Sequence, residues 1–206
     1  TTSFHVGYDM LRDRNGNLYM VGNFGSLNGV VDANCIAMRA AGGTTWSAVG
    51  SLNDKAVTIV EGFDGKIYIG GYFTDAGGIA TADYITRWTG SAYESITASG
   101  AANGAVYALA ISRVGHLYAG GGFTTINGVS TNYIARYDGT NWNTVVSATG
   151  LNGDVYDIIP DPWGDGVIIA GAFQNVGGTE RDYLLRVKIT GTTYTYELVG
   201  GGTPNG

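Results

Sequence analysis

Few residues in this sequence combine the chemistry and the spacing that a functional site needs. The most distinctive run is Asp161-Pro162-Trp163-Gly164-Asp165-Gly166. An aromatic flanked by two carboxylates on a loop suits stacking against a sugar or holding a cation, and an irregular turn accounts for the same residues more simply. Trp88 and Tyr137 also stand apart from the recurring pattern described below. With Trp163, Asp161 and Asp165 they make up the candidate binding residues. Asp13-Arg14-Asn15-Gly16-Asn17 is rich in oxygen donors but lacks the distal bidentate Glu of an EF-hand. Asn15-Gly16 reads instead as a hairpin turn. The two histidines, His5 and His116, have no carboxylates at ligand spacing, so no metal or cofactor is expected. A Gly-x-Ser-x-Gly elbow, a phosphate-binding loop and a Cys–His pairing are all missing from the sequence. The expectation is a protein that is not an enzyme. Catalysis would need a carboxylate cluster gathered from distant segments at the mouth of a channel.

Such residues would have to be positioned by strands and tight turns. Glycine accounts for 35 of 206 residues, while proline accounts for three. That is about 17% glycine against a usual roughly 7%. With 14 Tyr and only 14% charged residues, the composition suits short strands joined by turns. The net charge of −6, from 11 basic and 17 acidic residues, repels phosphate backbones, and no Lys/Arg cluster offsets it; nucleic acid is not an expected partner. The longest apolar runs are strand-like, as in Val167-Ile168-Ile169-Ala170, so no membrane insertion is expected. Cys35 is the only cysteine and excludes an intramolecular disulfide. Thr1-Thr2-Ser3 shows neither an initiator Met nor a signal peptide. A removed Met, a cleaved leader or an excerpt from a longer chain each explains this start.

A period near 50 residues organises the whole sequence. Gly22-Asn23-Phe24, Gly71-Tyr72-Phe73, Gly121-Gly122-Phe123 and Gly171-Ala172-Phe173 recur at spacings of 49, 50 and 50. Each follows a β-rich run and precedes a turn doublet: Asn28-Gly29, Gly77-Gly78, Asn127-Gly128 and Gly177-Gly178. These pairs supply the positive φ angles of tight hairpins. Next come Cys35-Ile36-Ala37-Met38, Tyr84-Ile85-Thr86-Arg87, Tyr133-Ile134-Ala135-Arg136 and Tyr183-Leu184-Leu185-Arg186, each preceded by Asn or Asp. An aromatic strand opened by Trp46, Tyr93, Trp142 or Tyr194 closes each repeat. First strands are expected at about 8–11, 57–60, 106–111 and 155–159. Four strands per repeat at this length predict β-propeller blades, with repeats at approximately 1–53, 54–103, 104–153 and 154–206 in a single domain. Four blades either close on themselves, which is slightly favoured because it uses nearly the whole chain, or belong to a larger propeller.

The run Leu117-Tyr118-Ala119-Gly120-Gly121-Gly122-Phe123-Thr124, followed by Tyr133-Ile134-Ala135-Arg136-Tyr137-Asp138-Gly139 and Trp142, resembles the kelch-like repeat of bacterial surface and phage structural proteins. It is also similar to the repeats of fungal cortical polarity-marker proteins. The resemblance implies the blade; such repeats serve many roles. Cys35 and Met38 in repeat 1, and Ala172 with the extended turn at 188–193 in repeat 4, depart from the pattern.

Arg87, Arg136 and Arg186 share one blade position. They read as packing residues paired to a nearby Asp or carbonyl, ahead of an anion-binding ring. The recurring aromatics read as filling between blades, and Cys35, in a Tyr position, as a packed, inert thiol. The expected function is a non-catalytic structural or interaction module of an extracellular, cell-surface or virion protein (phage capsid or tail), with protein partners in a larger assembly. A glycan-binding, lectin-like propeller is the alternative, and a propeller lyase or glycosidase a third.

Overall fold

The computed structural model describes residues 5–30, 32–97, 100–146, 150–164, 166–181, 183–191 and 193–199. Among these residues every regular element is a β-strand. The chain divides into two compact units, Thr1–Ala101 and Ala102–Gly206, each built from two four-stranded antiparallel sheets in simple up-and-down order.

In the first unit, one sheet is formed by β1 (Val6–Arg12), β2 (Leu18–Asn23), β3 (Ile36–Arg39) and β4 (Ser47–Ala48). The second sheet comprises β5 (Ala56–Glu61), β6 (Ile67–Gly71), β7 (Ile85–Trp88) and β8 (Tyr93–Glu94). The second unit holds β9 (Val106–Ile111), β10 (Leu117–Gly121), a ribbon of β11 (Thr125–Ile126) and β12 (Val129–Ser130), then β13 (Ile134–Tyr137) and β14 (Trp142–Thr144). The last repeat contains β15 (Val155–Pro160), β16 (Gly166–Gly171), a ribbon of β17 (Asn175–Val176) and β18 (Thr179–Glu180), then β19 (Leu184–Thr190) and β20 (Thr193–Leu198). The first strands lie within two residues of their expected bounds. The two ribbons exceed the expected sixteen strands because Asn127-Gly128 and Gly177-Gly178 each fold a short hairpin of their own.

The two recurring signatures prove to be partners. In every repeat the residue after the Asn or Asp takes a positive φ: Cys35 (70°), Tyr84 (63°), Tyr133 (73°) and Tyr183 (61°). Its N–H donates to the carbonyl of the signature Phe, as in Tyr133 to Phe123 at 2.9 Å. Its carbonyl accepts from the signature Gly, as in Gly121 to Tyr133 at 3.1 Å. A left-handed non-glycine residue costs about 1–3 kcal/mol, and these two hydrogen bonds hold it there. Glycine is required opposite for a separate reason. A Cβ on Gly121 would overlap the Ala105 carbonyl oxygen and sit 3.0 Å from Val106 Cα. The same overlap with the preceding strand arises at Gly22, Gly71 and Gly171.

Each first strand carries a bulge at the same place, around Tyr8, Val57, Tyr107 and Tyr156. It sets the alternation so that one face of each sheet packs on its neighbour within the unit. In the first unit Tyr19, Val21, Ile36, Ala56, Ile59 and Ile69 share one core. In the second, Ala108, Ala110, Tyr118, Val155, Ile158 and Ile169 do so.

Candidate functional site

The β15–β16 connection contains the strongest sequence candidates. Asp161 sits at the foot of the turn with its side chain fully buried. Its Oδ1 accepts the Trp163 N–H at 2.9 Å, a local bond that Asp forms readily in turns. Its Oδ2 accepts Arg186 Nε–H at 2.8 Å. Arg186, on β19, reaches on to Glu197 Oε2 at 3.1 Å, and Lys188 Nζ donates to Glu197 Oε1 at 2.9 Å. Burial works against ionisation of Asp161, yet the Arg186 hydrogen bond, the Trp163 N–H and the charges of Arg186 and Lys188 outweigh it. The carboxyl is held below its ordinary range.

Above this stack the Trp163 ring is 75% exposed, with the Arg186 guanidinium 5.1 Å from its centroid. A ring fixed on one side by a cation and presented to water on the other is a flat platform for a sugar or another planar group. The loop is further pinned by Arg113, whose Nη1 donates to Pro162 O at 2.7 Å. Arg14 makes the equivalent contact in the first unit, donating to Phe63 O at 3.3 Å and Gly62 O at 2.6 Å.

Asp161 and Trp163 are therefore brought together, but Asp161 is spent on structure. Asp165 lies outside the described residues. Trp88 and Tyr137, read from sequence as standing apart from the repeat, occupy one equivalent register position, opposite Ile67 and Leu117. Each pairs with the aromatic that opens the next strand. Trp88 meets Tyr93 edge-on at 5.1 Å, and Tyr137 lies 5.2 Å from Trp142. Tyr137 is buried and Trp88 half-buried, because this position faces the outer strand of its own sheet. They are blade positions after all.

The recurrent arginines divide. Arg87 donates from Nη2 to Glu94 at 2.6 Å, and Arg186 pairs with Asp161 and Glu197 as described. Arg136 lies over the Tyr194 ring at 5.8 Å. In the Asp13–Asn17 turn, the Asp13 carboxylate accepts the Asn15 N–H, the Asn17 N–H and the Asn17 Nδ2–H at 2.7–3.0 Å. Its oxygens thus serve the hairpin. Cys35 is buried, and burial, aided by the charge of Asp54, raises its pKa and disfavours the thiolate.

One recurring group escapes a reading of the sequence. Asn53, Asn103 and Asn152, spaced 50 and 49 residues apart, each turn a side-chain oxygen onto two successive N–H groups. These are Thr74 and Asp75, Thr124 and Thr125, and Gln174 and Asn175, at 2.7–3.1 Å. Each clamp ties the entry to a sheet to the loop after the Phe of that same sheet. The spacing itself was the available signal.

A family model described as a domain of unknown function (DUF5122) β-propeller matches residues 64–82 and 115–142. These stretches hold the Gly-x-Phe signatures of the second and third repeats. A catalytically inactive virginiamycin B lyase from Staphylococcus aureus, solved with quinupristin, superposes with a TM-score of 0.56 at 15% identity, over 98% of this chain and 58% of its own. The all-β fold is propeller-like. The extracellular domain of a one-component system from B. thetaiotaomicron likewise superposes with a TM-score of 0.53 at 13% identity, covering 82% of this chain and 20% of that one. Identities this low carry the likeness to the fold alone, and the chain spans less than two thirds of either protein's length. No curated protein matches the sequence significantly.

Proposed function

We propose that the chain contributes four blades to a non-catalytic interaction module of an extracellular or virion-surface assembly. The observation that carries this is the uncovered apolar surface on its first and fourth sheets. Met10 is 63% exposed, Tyr156 57% and Ile159 51%, at strand positions where side chains of this size normally pack against protein. The kelch-like resemblance to bacterial surface and phage structural repeats supports the location. An antibody against residues 1–206 should label intact, unpermeabilised particles or cells. Cross-linking mass spectrometry of that material should recover links from more than one repeat to another chain. Labelling that appears only after permeabilisation, or a chain recovered without cross-links, overturns the proposal.

A second reading rests on Trp163. Its exposed ring, backed by Arg186 at 5.1 Å, supports glycan binding at the β15–β16 loop. Glycan-array hits that vanish in Trp163→Ala would support it; an array without hits removes it.

A further inference from the structure

We infer that the β15–β16 turn binds a negatively charged sugar, its ring stacked on Trp163 and its carboxylate or sulfate paired with Arg113. The inference rests on the glycan reading of Trp163 and names the class of glycan. Every residue of the site lies in the second unit.

The first unit holds the same turn with its charge cancelled. Arg14 and Arg113 are equivalent, each two residues past the strand positions that face Leu18 and Leu117. Both reach the neighbouring sheet, where Phe63 O and Pro162 O accept from Nη1 at 3.3 Å and 2.7 Å. In the first unit Glu61 Oε1 then accepts Arg14 Nε–H at 2.6 Å, and Oε2 accepts the Arg14 backbone N–H at 2.8 Å. In the second unit the place of Glu61 is taken by Pro160, since Glu61 lies opposite Ile67 and Pro160 opposite Val167 at the same step of register. Proline has no carboxylate to offer. Three residues further on, Asp64 of the first unit gives way to Trp163. The turn thus loses two acids and gains an indole that is 75% exposed.

The other charges close among themselves. Asp161 and Glu197 hold Arg186, and Glu197 also holds Lys188. Two acids match two bases, and Arg113 is the remainder. It is exposed, and among the described residues it pairs with no carboxylate. Its Nη1 is fixed on Pro162 O, in the peptide that leads into Trp163, which tethers the cation beside that residue. The rest of the guanidinium is left to receive an anion in paired, charge-assisted hydrogen bonds. A neutral sugar would use the indole and leave this charge unmatched; an anionic sugar uses both. One unmatched cation on a chain of net charge −6 suits a single charged ring rather than a phosphate backbone, whose binding needs many cations.

On a glycan array carrying neutral, carboxylated and sulfated members, the full chain should bind acidic glycans, and more weakly as salt rises. The carboxylated and sulfated members tell which anion is read. In titrations of the strongest acidic hit, Arg113→Gln, which keeps an N–H for Pro162 O, should weaken binding at least about tenfold. Arg113→Lys should restore part of it. Pro160→Glu reinstates the acid of the first unit and should weaken binding to a similar degree by neutralising Arg113. Circular dichroism melts should show all three variants folded as the parent is. Asp165→Asn removes the turn's remaining carboxylate and should bind at least as tightly; weaker binding there would make a carboxylate the charged contact and overturn the inference. Neutral hits that need Trp163 but survive Arg113→Gln overturn the acidic class alone and leave glycan binding standing. An array without hits removes both.

Discussion

Replacing Gly121 with alanine tests why glycine recurs every 50 residues. The added Cβ would overlap the Ala105 carbonyl oxygen and sit 3.0 Å from Val106 Cα and 3.1 Å from the Ala105 carbonyl carbon. All three atoms are backbone, so relief requires β9 to move away from β10. Forcing an extra carbon into packed structure costs about 1–3 kcal/mol. The shift also loosens the Gly122 N–H bond to Ala105 O, now 3.0 Å, for about 1 kcal/mol more. Alanine's lower chain entropy returns about 0.5 kcal/mol. The net loss is about 2–3 kcal/mol, which lowers the melting temperature by roughly 5–10 °C for a chain of this length. Gly25→Ala is the matched control, since nothing lies within 4 Å of its Cβ and its φ is not left-handed. Scanning calorimetry on both variants decides the matter. If Gly121→Ala melts within about 1 °C of the parent, the size of a surface substitution, backbone crowding is not why the glycine recurs.

Asp161→Asn should cost about 1–3 kcal/mol at neutral pH, less than a fully broken buried pair because Arg186 keeps Glu197 at 3.1 Å. Since the folded carboxyl titrates below its unfolded value, the parent's advantage is complete above about pH 5. It should then shrink as pH falls below about 4; denaturant melts across that range that show a constant difference would contradict the ion pair. Tyr137→Ala should destabilise by about 3 kcal/mol through lost packing on Trp142, whereas Trp163→Ala should stay within about 0.5 kcal/mol. The reverse ranking in thermal melts would return Tyr137 to the binding candidates. Asn103→Ala should cost about 1 kcal/mol by releasing the Thr124 and Thr125 N–H groups. Asn103→Asp, which keeps the acceptor, should retain most of that in urea titrations.

Positions whose demands are local were legible in the sequence. The turn doublets, the crowded glycine and the left-handed Tyr each need a particular residue type wherever the backbone repeats its path, so they recur at the same spacing. The Asn53, Asn103 and Asn152 clamp obeys the same rule, but a lone polar residue beside a turn looks like any other loop asparagine. Trp88 and Tyr137 were misplaced for the converse reason. Their equivalents are Arg39 and Val187, and a position that tolerates Arg, Trp, Tyr and Val shows no pattern until register reveals what it faces.

The sequence by itself determined the all-β repeat, its period and the turns that shape each sheet, because those follow from backbone geometry within a few residues. Only the tertiary structure decided which polar groups are spent and which surfaces are left over. Asp161 looks like a free loop carboxylate until β19 brings Arg186 beneath it, from 25 residues away. Met10 and Ile59 are equivalent strand residues, yet one is exposed and the other buried. Burial belongs to whatever lies across from a residue, and that neighbour is set by which sheet packs on which.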